Sequence, residues 1–273
     1  VIHLLDNIQI KALVNQQLAT DLNCSDKDLI NQCLVTKATS HAKTRGFFKQ
    51  TPFLYAVGLG DSFIATVSDE IKTWMNDFVK AFKPYRYFDI LQLDLLNNEL
   101  KKWGYQVAMI GEYYLPDANA VRHFDCKYEI KIFRDNDIKH LYKDDRFQMA
   151  LMYGESPRKY DNIAAVAYNN HGNVIGVCAT TKDSERMCSL GIDVIKEYRR
   201  QNIATTLVNV VTKTLLSEGL IPYYGTSVGN VLSKNLANKT GYYPYFVEIQ
   251  TDKINACQTY LPKQYQKNMK GQV

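Results

Sequence analysis

Residues 191–208 read GIDVIKEYRRQNIATTLV, and this stretch decides the fold. Ile192, Val194 and Ile195 are β-favouring, Lys196 to Asn202 form a largely polar stretch with no apolar period, and from Ile203 apolar residues recur at helical spacing. A strand therefore runs through a short loop directly into a helix. Such a helix start offers amide groups with no partner inside the helix and the positive end of its macrodipole, so it can hold a phosphate without a charged side chain. Arg199 and Arg200 add positive charge there. Close approach of the backbone to an anion calls for a small residue at Ala204 and a residue tolerant of a left-handed backbone at Asn202.

Outward from this stretch the pattern stays mixed. Downstream, the helix is expected over 203–217, with Leu207, Val211 and Leu215 on one stripe and Gly219 ending it. A strand (IPYYGTSV, 221–228), a helix over 232–239 stopped by Gly241, and a last strand (YFVEI, 245–249) follow. Upstream lie a strand (YEIKIF, 128–133), a helix over about 137–153, and the strands NIAAVAY, NVIGVCAT and MCSLGIDVI. The turn NNHGN between the first two of these is a hairpin signal, because Asn and Gly tolerate positive φ.

The first part of the chain reads separately. A helix is expected over 2–18, a second capped by Ser25 or Asp26, a strand pair (FLYAVGLG and DSFIATVS) turning at Gly60 and Asp61, helices over 69–82 and 90–103, and the strand YQVAMIGEYYL stopped by Pro116. PDANAVRHFDCK, residues 116–127, has turn-forming residues and no apolar period, and reads as a linker. The expected division is an N-terminal α/β domain over 1–122 and a second α/β domain over 123–273.

Composition narrows the function classes. With 46% hydrophobic and 22% charged residues the chain has the balance of a folded protein, and no apolar run approaches bilayer length, so no membrane association is expected. The N-terminus shows no basic start followed by an apolar core and a small-residue cleavage site, and a cytoplasmic location is the expectation. Six cysteines and five histidines are scattered without metal-ligand spacing, so no metal is expected and the cysteines read as reduced. A formal charge of +5 is interleaved with acids, as in KIFRDNDIKHLYKDDR, which points away from nucleic acid. The 19 tyrosines suit half-buried positions between layers.

The run VIKEYRRQNIATTLV resembles the acyl-CoA-binding motif of the GCN5-related N-acetyltransferases (GNAT), Arg/Gln-x-x-Gly-x-Gly/Ala, with Arg199 in the first place, Asn202 in that of the central glycine and Ala204 in the last. Downstream, GNVLSKNLANKTGYYP is similar to the family's later N-x-x-S segment through Asn230 and Ser233, and Gly241 and Tyr242 match its Gly-aromatic ending. The resemblance covers roughly 128–249. The first domain, with LATDLNCSDKDL and EYYLPD, looks like the N-terminal extension of a two-domain bacterial branch.

The resemblance implies a splayed mixed β-sheet flanked by helices, with acetyl-CoA or another acyl-CoA as co-substrate in the wedge. It implies a cofactor site of Ile192, Asp193, Val194, Arg199, Arg200, Gln201, Asn202, Ile203, Ala204, Thr205, Asn230 and Ser233. The backbone of residues 192–194 would pair with pantetheine, and the Val194 amide would polarise the thioester carbonyl. Asp193 is the nearest carboxylate for a base, and strand alternation sets it on the face opposite Ile192 and Val194. Relatives often carry a tyrosine acid four residues before the glycine matching Gly241; Ala237 stands there, which leaves Ser233, Ser227, Tyr223, Tyr224 or water as proton donor. Asp193 bonded to backbone, and Asn230 with Ser233 as a plain helix cap, are the structural alternatives. The expected activity is direct transfer to a primary amine, of a small molecule, with the N-terminal domain forming part of the acceptor pocket. The alternative is a CoA-binding sensor or protein-interaction module that has lost catalysis. A homodimer is left open.

Overall fold

The computed structural model describes residues 4–40, 42–46, 50–122, 124–151 and 161–257. In chain order they form α1 (Asn7–Asp21), β1 (Cys33–Lys37), β2 (Leu54–Leu59), β3 (Ser62–Val67), α2 (Lys72–Ala81), α3 (Ile90–Lys101), β4 (Tyr105–Pro116) and β5 (Glu129–Arg134). There follow α4 (Gln148–Leu151), β6 (Asp161–Tyr168), β7 (Val174–Lys182), β8 (Met187–Val194), α5 (Ile203–Ser217), β9 (Ile221–Ser227), α6 (Val231–Lys239), β10 (Tyr242–Lys253) and α7 (Ile254–Cys257).

The chain divides into two compact units that are not consecutive segments. The first comprises residues 1–17, 45–47 and 112–245, the second 18–44, 48–111 and 246–273. The division differs from a cut at 122/123 because two long strands change unit within themselves, β4 at Glu112 and β10 at Phe246.

In the first unit the strands run in the order β10, β4, β9, β8, β7, β6, β5. The ladders from β5 to β8 are antiparallel. β8 and β9 are parallel, which requires a crossover, and α5 supplies it. Alternation sorts the side chains into two cores. Ile163, Ala165, Cys178, Leu190 and Tyr224 pack with Leu207, Val211 and Leu215 of α5 on one face. Ala164, Val166, Val177 and Ala179 pack with Ile138, Leu141, Phe147 and Leu151 on the other. The start of α5 sits close on the sheet because Gly176 has no side chain: a Cβ there would fall 2.9 Å from Ile203 Cγ2.

The second unit orders its strands β1, β3, β2, β10, β4, over a core that includes Phe63, Met75, Tyr87 and Leu96. Phe63 and Tyr87 stack at 4.2 Å between ring centroids.

The helix expected over 137–153 is broken. Residues 135–143 and 145–147 form 3₁₀ turns before α4, and 152–160 lie outside the described residues. The cause is local: Asp135 has φ +44, and the Asp144 carboxylate accepts a hydrogen bond from the Arg146 amide at 3.2 Å, an alternative to the helical ladder. β1 escapes sequence detection because it is five residues long and lacks clean alternation.

Gly191 of β8 meets α4 so closely that a Cβ would lie 2.3 Å from the Met149 carbonyl oxygen. Gly191→Ala is expected to lower stability by about 1–3 kcal/mol through overpacking against backbone. Denaturant unfolding checks this, and an unchanged midpoint would contradict the packing.

Candidate functional site

The parallel pairing of β8 with β9 lasts only from Met187↔Ile221 to Leu190↔Tyr224. β8 continues through Gly191, Ile192, Asp193 and Val194 while still paired with β7. Past Leu190 the β9 side of this strand is therefore an open edge. The Ile195 amide donates to the Ile175 carbonyl of β7 at 3.0 Å. Amides along a strand alternate in direction, so those of Ile192 and Val194 point the other way, into the gap. The side chains of Ile192 and Val194 pack on the α5 face. That of Asp193 lies opposite, where its Oδ2 accepts from the Ala150 amide at 2.9 Å. Burial lifts the Asp193 carboxyl above the usual range, against the pull of the Ala150 and Met149 amides and of Arg199.

Beyond β8 the loop is shaped by two left-handed residues, Arg200 and Asn202, both at φ +60. Asn202 thus adopts the conformation for which the motif uses glycine. Its carbonyl accepts from the Thr206 amide at 2.9 Å and the Thr206 hydroxyl at 2.8 Å, which closes the first turn of α5. Its side-chain Oδ1 accepts from Lys239 Nζ at 3.0 Å, so a lysine from the end of α6 adds charge to the loop. Arg199 Nε donates to the Val194 carbonyl at 3.0 Å. Tyr128 Oη donates to Gln201 Oε1 at 2.8 Å and pins the loop from β5's side. Lys239 and Tyr128 carried no sequence signal, since their partners are 37 and 73 residues away.

A concavity of about 480 Å³ opens at this loop, lined by Asp125, Cys126, Lys127, Gln201 and Asn202. Ile203 and Thr205 are buried, so of these two only the backbone can face an anion, whereas Ala204 is half-buried. A larger cleft of about 530 Å³ is lined entirely by residues of the second unit, among them Phe53, Trp103 and Tyr105, and contains none of the motif residues. The donor set of the loop, and not cleft size, marks the site.

On the α5 face, Asn230 caps α6 by accepting from the Ser233 amide at 3.1 Å. Ser233 Oγ donates to Tyr224 Oη at 2.9 Å. Tyr224 is the last β9 residue before the strands part, and burial pushes its phenol up to about 12. Tyr223 points to the opposite face and donates to Asp183 Oδ2 at 2.5 Å, so it is committed elsewhere. Among the described residues no group of side chains could hold a metal ion, and no helix is long and apolar enough to cross a membrane.

The parted parallel strand pair thus leads through a short loop with left-handed residues into an amphipathic helix. The family model for GNAT acetyltransferases matches residues 98–246, more than half of the chain. The chain belongs to the GNAT acetyltransferase family. No curated protein matches it. Among solved structures, a GCN5-related N-acetyltransferase-like protein from Streptococcus suis is 14% identical over 59% of this chain and 68% of its own, with a TM-score of 0.43. A GCN5-related N-acetyltransferase from Kribbella flavida is 13% identical over 58% of this chain and 63% of its own, with a TM-score of 0.43. AAC(6')-Iy, solved with a bisubstrate analogue of CoA and acetylneamine, is 18% identical over 42% of this chain and 90% of its own, with a TM-score of 0.34.

In this GNAT chain Asn202 holds the loop, which yields a test. Asn202→Val is expected to lose about 1–2 kcal/mol of stability, because a β-branched residue is forced left-handed. Asn202→Gly should stay within a few tenths, since glycine removes the strain but also the Lys239 partner. Equal stabilities of the two variants in urea unfolding would contradict the observed φ.

Proposed function

We propose that this protein transfers an acyl group, acetyl in the first instance, from CoA to a primary amine of a small molecule, by direct attack in a ternary complex. The observation that carries the reading is the open edge of β8, whose free side ends at an anion-binding helix start. The phosphates bind at residues 199–204, where the α5 amides and Arg199, Arg200 and Lys239 supply positive potential. The pantetheine arm lies along Ile192–Val194 as an added strand. The Val194 amide, and the Ile192 amide one repeat deeper, are the donors for the thioester oxygen. CoA is a co-substrate, no metal is assigned a role, and a pool of acyl-CoA makes the cytoplasm the expected compartment.

In the reaction the amine nitrogen bonds to the thioester carbon, the C–S bond breaks, and CoA leaves as thiolate. The substrate ammonium first gives one proton to Asp193, whose burial raises its carboxyl in the direction a base near neutrality needs, and the second proton, lost from nitrogen as the amide forms, passes through water to the thiolate or to solvent. The thiolate is received by the Tyr224–Ser233 pair. Ser233 donates to Tyr224, which leaves the phenolic proton free to serve as a donor to the sulfur. A phenol at about 12 holds its proton more tightly than a thiol of roughly 8.5. Tyr224 therefore stabilises the departing sulfur by a hydrogen bond and does not give up its proton, which lessens the need for the tyrosine that Ala237 replaces.

Thiol release from acetyl-CoA over a panel of amines, with calorimetric binding of CoA, tests the reading. Ala204→Glu is expected to abolish CoA binding in a folded protein, because a carboxylate is placed beside the anion site. Unchanged affinity would remove the motif assignment, and tight CoA binding with no turnover on any amine would favour a sensor.

Two further variants separate the proton roles. Asp193→Asn keeps an acceptor for the Ala150 amide and is expected to cut kcat by about 10²-fold or more at unchanged melting temperature. The wild-type rate should rise with pH through a carboxyl pKa above the ordinary aspartate range, and the variant should lack that acidic limb. Tyr224→Phe is expected to lower kcat about tenfold with CoA affinity kept. Full activity of both variants would leave only water as the proton carrier.

A further inference from the structure

Where β8 and β9 part, the register that pairs Leu190 with Tyr224 sets two glycines at the next level, Gly191 and Gly225. Leu190 and Tyr224 face α5, so both glycines present themselves to the opposite face. Each has a neighbour there in the place of a Cβ. A Cβ on Gly191 would meet the Met149 carbonyl oxygen at 2.3 Å and Ala150 Cα at 3.0 Å. A Cβ on Gly225 would meet the Tyr113 ring at 2.8 Å. The missing side chain of Gly225 is thus filled by an aromatic ring from β4, the strand on the far side of β9.

That ring does not stand alone. Tyr113 lies 5.7 Å from the Tyr223 ring, centroid to centroid. Tyr223 is held by its bond to Asp183, and the buried Arg45 guanidinium lies 5.9 Å from its ring. A fixed tyrosine therefore backs Tyr113 from behind, while the backbone of α4 closes the other side.

We propose that Tyr113 sets the acyl-chain length: its ring bounds the space at the parting of β8 and β9 into which the acyl group projects, so acetyl fits and longer chains do not. This rests on the acyl-CoA reading above. With the phosphates at residues 199–204, the extended arm of CoA runs back along β8, its thioester meets the Val194 and Ile192 amides, and the acyl group beyond it arrives at Gly191. An acyl group carried through the gap then meets the α4 backbone on one side and Tyr113 on the other. Backbone cannot be trimmed by substitution, so the ring is the adjustable wall.

Calorimetric titration of CoA, acetyl-CoA, butyryl-CoA and hexanoyl-CoA reads this without knowledge of the amine. The wild type is expected to bind hexanoyl-CoA about tenfold or more weaker than acetyl-CoA, because the ring stands where the excess methylenes would go. Tyr113→Ala should bring the two within about threefold while leaving the affinity for CoA itself unchanged, and Tyr113→Phe should keep the wild-type profile. Gly225→Ala, which must displace the ring without altering it, should shift the ratio by about threefold or more and keeps the test open if Tyr113→Ala does not fold. A wild type indifferent to chain length, or a wild-type profile in folded Tyr113→Ala or Gly225→Ala, would overturn the assignment. Failure of the wild type to bind CoA would instead overturn the acyl-CoA reading on which it stands.

Discussion

Everything proposed for this protein depends on two parallel strands that stop pairing too early. Strand β8 is held along its whole length by β7, yet β9 accompanies it for four residues only. A strand edge left without a partner is costly when shielded from water and is an open template for another extended chain. Both properties suit a ligand arm that carries its own amides. The same parting separates the two faces chemically: Tyr224 and Ser233 meet on the α5 side, and Asp193 meets the Ala150 amide on the other. In the proposed reaction the proton acceptor and the hydrogen-bond donor to sulfur thereby fall on opposite faces of one gap.

What keeps the gap useful is the loop beyond it. A left-handed residue at 202 turns the chain so that the amides opening α5 face outward, and Asn is the non-glycine residue that does this at least strain. Its side chain then does something glycine could not, since it accepts from Lys239 and ties the end of α6 to the start of α5. The departure from the glycine motif thus adds a cross-link between the two helices that border the proposed cofactor site. Arg199, by bonding to the Val194 carbonyl, links loop and strand in the same way.

The parts of this arrangement that were legible in the sequence are those with local causes. Helix α5 could be bounded at Ile203 and Ser217 because a polar loop precedes it and Gly219 ends it. The cap of α6 by Asn230 and the face of Asp193 follow from adjacent residues and from alternation. The features that escaped are long-range. Nothing near residue 112 says that β4 will lie between β9 and β10, so neither the interleaved units nor the place of Tyr113 could be read. The aspartates at 135 and 144 were visible, but their backbone competition with an amphipathic period was decided only in the fold, where the period lost.

The insertion of β4 beside β9 changes what the missing tyrosine means. A helix-borne acid at residue 237 would have to reach the gap from α6, and Ala237 is instead fully buried in the core beneath that helix. A hydroxyl comes from the strand itself at the last paired residue, Tyr224, whose ring lies 5.9 Å from that of Tyr242 between centroids and whose oxygen accepts from Ser233. A strand-borne phenol is held by main-chain pairing on the β8 side, so its position at the gap depends on the register of β8 and β9 and not on the packing of a short helix. The element that opens the gap is then also the element that carries the donor assigned in the proposed reaction.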